Sequence, residues 1–290
     1  MCIQDAHSQN IKIACCLCSI LNMDRNYPKK RFSSSYDENK PANDKDMIFG
    51  IRPVIEALEA GKEIDKILIQ RNIEQAVVQE LFELANRVKV PVIKVPVEKL
   101  DRVTRKNHQG VICYLSAINF ASLDNIVSAC FESGKNPLLV MLDRVTDVRN
   151  FGAVARSAEC LGVDAMIVPS RGAAQLNSDA VKTSAGALYH IPVCRVDHLI
   201  DTVKYLKQCG LRIIACSEKA SINVYDEDLT DPCVILMGSE EDGISMDLLR
   251  YADAHVTIPM SGHINSLNVS VATGMILSEV TRQRLKQQSK

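Results

Sequence analysis
Six short apolar runs recur from residue 137 onward, at 138–142, 165–169, 192–196, 212–216, 234–237 and 255–258, with stretches of helical periodicity between them. Runs this short and this continuous read as strands buried on both faces. They alternate with helices expected at 150–161, 178–189, 198–209 and 245–251, and a long final helix is expected at 267–286. The pattern predicts an α/β domain over 137–290, built on a mostly parallel sheet covered on both sides. Such sheets present ligand sites in the loops that leave the carboxyl ends of their strands. Loops 143–150, 238–244 and 259–268 are therefore the ones to inspect.

A smaller alternation precedes it. Over 46–118 the periodicity predicts a helix at 53–60 closed by Gly61, a strand at 65–70, a helix at 74–88, a strand at 91–96, a helix at 97–107 and a strand at 111–117. Residues 119–136 read as a linker with room for one short helix. Residues 1–45 differ from both parts. Their apolar run, 11–21, is too short to span a membrane, and a polar stretch follows it. They read as a disordered leader or an over-long start, with Met23 or Met47 as the working initiator. No later segment is long enough to cross a membrane, so a cytoplasmic protein is expected.

Charge gives no hint of a partner. The chain's 34 basic and 35 acidic side chains nearly cancel. The balance is 11 to 10 over residues 46–118 and 15 to 18 over 137–290. Any contact with a nucleic acid must then come from local basic patches that only the fold brings together. Cysteine is frequent, with 11 residues, but Cys113, Cys130, Cys160, Cys194, Cys209, Cys216 and Cys233 sit singly within apolar stretches and read as reduced thiols. The dense group Cys15, Cys16 and Cys18 lacks a matching second half, so no metal site is expected.

The three loops carry the chemistry. In 142–156 (LDRVTDVRNFGAVAR) a strand ends at Asp143, and a helix is expected to start near Asn150, six residues before Arg156. Taken singly, Asn150 reads as a helix cap and Arg156 as a solvated charge. In 238–243 (GSEEDG), Gly238 and Gly243 frame Glu240, Glu241 and Asp242 directly after an apolar strand. The segment has neither the GxxxxGK[ST] nor the GxGxxG form of a phosphate cradle, and its carboxylates suit a neutral or cationic ligand. In 258–268 (IPMSGHINSLN), Pro259 ends a strand. Either Ser266 or Asn268 is placed to cap the last helix.

In their order, N-x5-R, then GxExxG after an apolar strand, then IPM-x-G and SLNVSVA, these segments resemble the SpoU (TrmH-type) RNA ribose methyltransferases of the SPOUT class. The resemblance covers about 150 residues. The preceding domain is similar to the L30e-like RNA-binding module that many members carry. The whole architecture is most similar to the bacterial 23S rRNA guanosine-2′-O-methyltransferases. The resemblance implies a C-terminal domain tied in a trefoil knot, a rare exception to the rule against threaded chains. It also implies a homodimer and methyl transfer from S-adenosylmethionine to a ribose 2′-hydroxyl, with no metal. The cofactor is then held through backbone at Gly238, Ile258 and Leu267. Arg156 meets the RNA, and Asn150, Glu240, Ser266 and Asn268 supply the other polar motif positions. Glu240 is expected to pair with the Arg156 guanidinium. Rival readings are a tRNA guanosine-2′-O-methyltransferase, a catalytically inactive RNA-binding protein and a nucleotide hydrolase. The intact motif residues argue against inactivity. The missing phosphate loop and nucleophile elbow argue against the hydrolase.

Overall fold
The computed structural model describes residues 47–73, 76–263 and 266–288. The expected disordered leader or over-long start at residues 1–45, with Cys15, Cys16, Cys18 and Met23, lies outside the described residues.

The first domain is a four-stranded sheet with helices on both faces. In chain order it runs β1 (Met47–Phe49), α1 (Ile51–Glu59), β2 (Ile64–Gln70), α2 (Ala76–Arg87), β3 (Val92–Val95), α3 (Val97–Val103) and β4 (Val111–Leu115). The strands lie in the order β1-β4-β2-β3, with β2 parallel to β3 and β4 antiparallel to both its neighbours. Alternate residues face opposite ways. Ile67, Ile69, Val111 and Cys113 pack with Val54, Leu58, Val78 and Leu81 of α1 and α2. Leu68, Ile112 and Tyr114 pack with Leu100 of α3. The expected helix 97–107 stops early, because Thr104 is extended.

The stretch read as a linker holds a full helix, α4 (Leu123–Glu132), capped by Ser122. Leu123 and Val127 are buried against the second domain's sheet, and Phe120 bridges to Val193. That domain continues with β5 (Leu138–Leu142), α5 (Val148–Cys160), β6 (Ala165–Pro169), α6 (Ser178–Thr183), β7 (Val193–Val196), α7 (Leu199–Gln208), β8 (Arg212–Cys216), β9 (Ile222–Asn223), β10 (Cys233–Met237), α8 (Met246–Leu249), β11 (Ala254–Thr257) and α9 (Val269–Gln288). The expected helix 178–189 is broken. Ala185 and Gly186 take positive φ, and a single 3-10 turn, Ala187–Tyr189, follows. The Gly186 N–H bonds back to the Val181 carbonyl at 3.0 Å, which closes the helix.

The seven strands lie in the order β7-β6-β5-β10-β8-β11-β9, and every pair is parallel. One face, with Val140, Ile235 and Ile214, packs under α5 and α9. The other, with Met141, Leu236 and Ile213, packs under α4 and α7. Burial on both faces is why the strands read as unbroken apolar runs. Strand β10 inserts between β5 and β8, so the connections on its two sides diverge at their carboxyl ends. That is where such a sheet opens a crevice. Among the described residues, no helix is long and apolar enough to cross a membrane.

Arg195 of β7 joins the two domains. One of its terminal nitrogens donates to the carbonyls of Ile64 at 2.9 Å and Asp65 at 2.8 Å. Its guanidinium lies 4.0 Å from the centre of the Phe120 ring.

Candidate active site
The loops after β8, β10 and β11, together with the start of α9, line a cleft that is open to solvent. Its walls are apolar, with Met237, Val256, Ile258 and Ile276 among them, and its rim carries Ser217, Glu218, Ser239, Glu240 and Ser266. Gly238, Ile258 and Leu267, the three expected cofactor positions, all line this one cleft. Burial pushes the thiol of Cys216, another wall residue, well above its ordinary pKa, so it stays protonated and neutral.

Gly238 is required by close packing. A Cβ there would lie 2.1 Å from the Gly243 carbonyl carbon and 2.2 Å from the Ile244 nitrogen. The loop doubles back on itself through paired backbone bonds between Ser239 and Gly243 of 3.2 and 3.0 Å. It is fastened to the end of β5 by residues that carry no signal in the sequence. Asp143, only 5 % exposed, accepts the Ser245 N–H at 2.7 Å. Arg144 donates to Asp242 at 3.1 Å and to the Gly243 carbonyl at 3.1 Å, while lying against Asp143 at 3.3 Å. The acidity of GSEEDG is thus partly answered by Arg144. The loop after β8 lies outside the three that the strand pattern points to, although it ends a strand adjoining β10. It contributes Ser217 and Glu218 to the rim.

The polar motif residues meet at the mouth of the cleft. Asp147, not Asn150, caps α5, accepting the N–H groups of Arg149 and Asn150 at 2.8 Å each. Asn150 is left free to accept a bond from Asn268 Nδ2 at 3.0 Å. The same Asn268 nitrogen donates a short bond to Glu240, whose carboxylate also accepts the Val269 N–H at 3.4 Å. Of the two candidate caps, Asn268 is the one that binds the first turn of α9. Its Oδ1 accepts from the Ser270 N–H at 3.0 Å and the Ser270 hydroxyl at 2.5 Å.

Arg156, two turns into α5, is exposed and makes no hydrogen bond or ion pair among the described residues. The expected Glu240–Arg156 pair is therefore not formed. Glu240 is engaged by Asn268 and by the start of α9 instead. Ser266 is exposed and stands at the rim of the cleft. Asn150, Glu240 and Asn268 thus form one bonded cluster, Gly238, Ile258 and Leu267 share the cleft, and Arg156 bonds to neither group among the described residues.

Comparison with known proteins gives the same outline. The SpoU rRNA methylase family model matches residues 137–278. The model for RNA 2′-O ribose methyltransferase substrate binding matches residues 47–121. The chain is 37% identical over 238 residues to a TrmH family tRNA/rRNA methyltransferase of Staphylococcus saprophyticus, covering 82% of this chain and 96% of that protein. It is 32% identical over 239 residues to the corresponding protein YacO of Bacillus subtilis, again covering 82% and 96%. Among solved structures it is similar to the SpoU methyltransferase AviRb from Streptomyces viridochromogenes in complex with the cofactor AdoMet. That match has a TM-score of 0.53 at 28% identity and covers 83% of this chain and 90% of the other. With both domain models matched in order, and relatives aligned over nearly their whole length, the chain belongs to the SpoU (TrmH-type) RNA methyltransferase family.

Proposed function
We propose that this chain transfers a methyl group from S-adenosylmethionine to the ribose 2′-hydroxyl of a guanosine in 23S rRNA. The observation that carries the reading is the Asn150–Asn268–Glu240 cluster, set at the mouth of a cleft lined by Gly238, Ile258 and Leu267. The cleft suits this cofactor. Its apolar walls accept a flat nucleoside, and the carboxylates of Glu218 and Glu240 at the rim favour a cationic sulfonium. When bound there, S-adenosylmethionine supplies an electrophilic methyl group.

The chain's own residues must position the nucleophile. A ribose hydroxyl attacks poorly until its proton leaves. A guanidinium is a poor general base. Exposed, and without a hydrogen bond or ion pair among the described residues, Arg156 is available to orient the ribose or a neighbouring phosphate and to stabilise the developing alkoxide. Glu240 and Asn150 act one step back, by holding Asn268 and with it the start of α9.

The active form in this reading is a homodimer in the cytoplasm. Val271 and Met275, one turn apart on α9, are 50 % and 38 % exposed and border a groove with Gly274 and Tyr225. An apolar stripe of this kind suits a second copy of the chain. The substrate is tested by mapping ribose methylation in the RNA of a deletion strain. Loss at one 23S rRNA guanosine is expected. Loss from tRNA would select the tRNA reading, and loss from neither pool would refute both.

A further inference from the structure
The chain carries no excess of positive charge, so RNA has to be met by local groups of cations. One such group lines a cleft between the two domains, walled by β2, by the turn after β6 and by Arg195 of β7. Its lining holds three cations, Lys66, Arg171 and Arg195, and one carboxylate, Asp65, while Glu63 and Asp197 also act on Arg195 from outside the lining. Burial pushes the Asp65 carboxyl above its ordinary pKa, against the pull of Lys66 and Arg195. Arg195 is committed to the Ile64 and Asp65 carbonyls and to the Phe120 ring, and contributes positive potential from the wall. Lys66 lies 3.9 Å from the Asp65 carboxylate and 5.3 Å from the centre of the Tyr114 ring. Arg171 is exposed, next to Gly172 in a left-handed turn, and makes no hydrogen bond or ion pair among the described residues.

An exposed guanidinium with no hydrogen bond or ion pair among the described residues, beside a second cation, Lys66, matches a phosphodiester in both charge and fork geometry. The position is also suitable. The turn that bears Arg171 is tied to the loop preceding α5 by the Ala174 N–H, which donates to the Val145 carbonyl at 2.9 Å. Strand β6 adjoins β5, and β5 adjoins β10, so the inter-domain cleft and the cofactor cleft open on the same carboxyl edge of the sheet.

We propose that the inter-domain cleft is a phosphate subsite for the substrate RNA, in which Arg171 and Lys66 hold the backbone away from the methylated ribose. This rests on the RNA-methylating reading above. The test uses the full chain and the RNA pool, ribosomal or transfer, that the parent enzyme labels from radioactive S-adenosylmethionine. RNA affinity is measured across a salt series for the parent, Arg171→Ala, Lys66→Gln and, as a control, Arg52→Ala, which removes an exposed arginine of α1. Each cleft variant should bind more weakly, and the slope of log affinity against log salt should fall by roughly 0.7 for each phosphate the variant no longer neutralises. Cofactor affinity should not change. Cleft variants with the parent's affinity and slope would overturn the proposal, as would an equal weakening in Arg52→Ala. A parent that binds and labels neither RNA pool would overturn the methylation reading itself.

Discussion

In the proposed site, Asn268 ties the polar cluster to the start of α9 through a single side chain. Its amide nitrogen gathers Asn150 and Glu240, while its oxygen caps α9. Changing it would disturb both functions together. Arg156 is the cleaner probe, because an exposed side chain with no hydrogen bond or ion pair among the described residues can be removed at little cost to the fold. Arg156→Ala should lower methyl transfer by roughly 10²–10³-fold, the usual effect of deleting one transition-state donor. Its thermal midpoint and its cofactor affinity by calorimetry should match the parent's. Near-parent turnover would remove Arg156 from the mechanism. The motif residues are legible in the sequence because their types and order resemble a known family. Their pairing is not. Arg144 and Asp242 are 98 positions apart, and Asp143 and the Ser245 N–H are 102 apart. Each looks like an ordinary surface charge or turn residue until the strands bring them together. For the same reason the sequence points Glu240 toward Arg156, when its partner is Asn268.

Strand positions are the most legible part at the scale of elements, because burial on both faces leaves unbroken apolar runs. Elements whose signal is shorter escape the pattern. Strands β1 and β9 have three and two residues, and α6 ends where Ala185 and Gly186 turn left-handed. Helix α9 has a feature that sequence periodicity does not reveal, a buried carboxylate. Glu279 is 5 % exposed and accepts Arg282 Nε and Nη2, and Gln283 Nε2, each at 2.7 Å. The hydrogen bonds from Arg282 hold its pKa below the ordinary glutamate range. A carboxyl depressed in this way contributes stability above its unfolded-state pKa and loses it as the pH falls through the folded-state value. The parent should therefore be more stable than Glu279→Gln near neutral pH, and the difference in thermal midpoint should close in acid. Midpoints that run parallel across the whole range would contradict this role for Glu279.

Both domains are legible at the scale of the whole molecule, but the way they meet is not. Arg195 reads in sequence as one charge at the end of a strand, yet it spans the domain boundary. The stretch expected as a linker with room for one short helix holds a ten-residue helix that packs on the second domain. The outward stripe on α9 makes assembly testable. Met275→Glu should convert a dimeric parent into a monomer by sedimentation and lower its activity, whereas a parent that is itself monomeric would refute the proposed dimer. Methyl transfer to a ribose oxygen is checked by incubating the purified chain with labelled S-adenosylmethionine and ribosomal RNA, then digesting the RNA with alkali. A methylated 2′-oxygen cannot attack the adjacent phosphodiester, so the label should remain in an alkali-stable dinucleotide that begins with guanosine. Label recovered instead in mononucleotides, as a methylated base, would contradict the account.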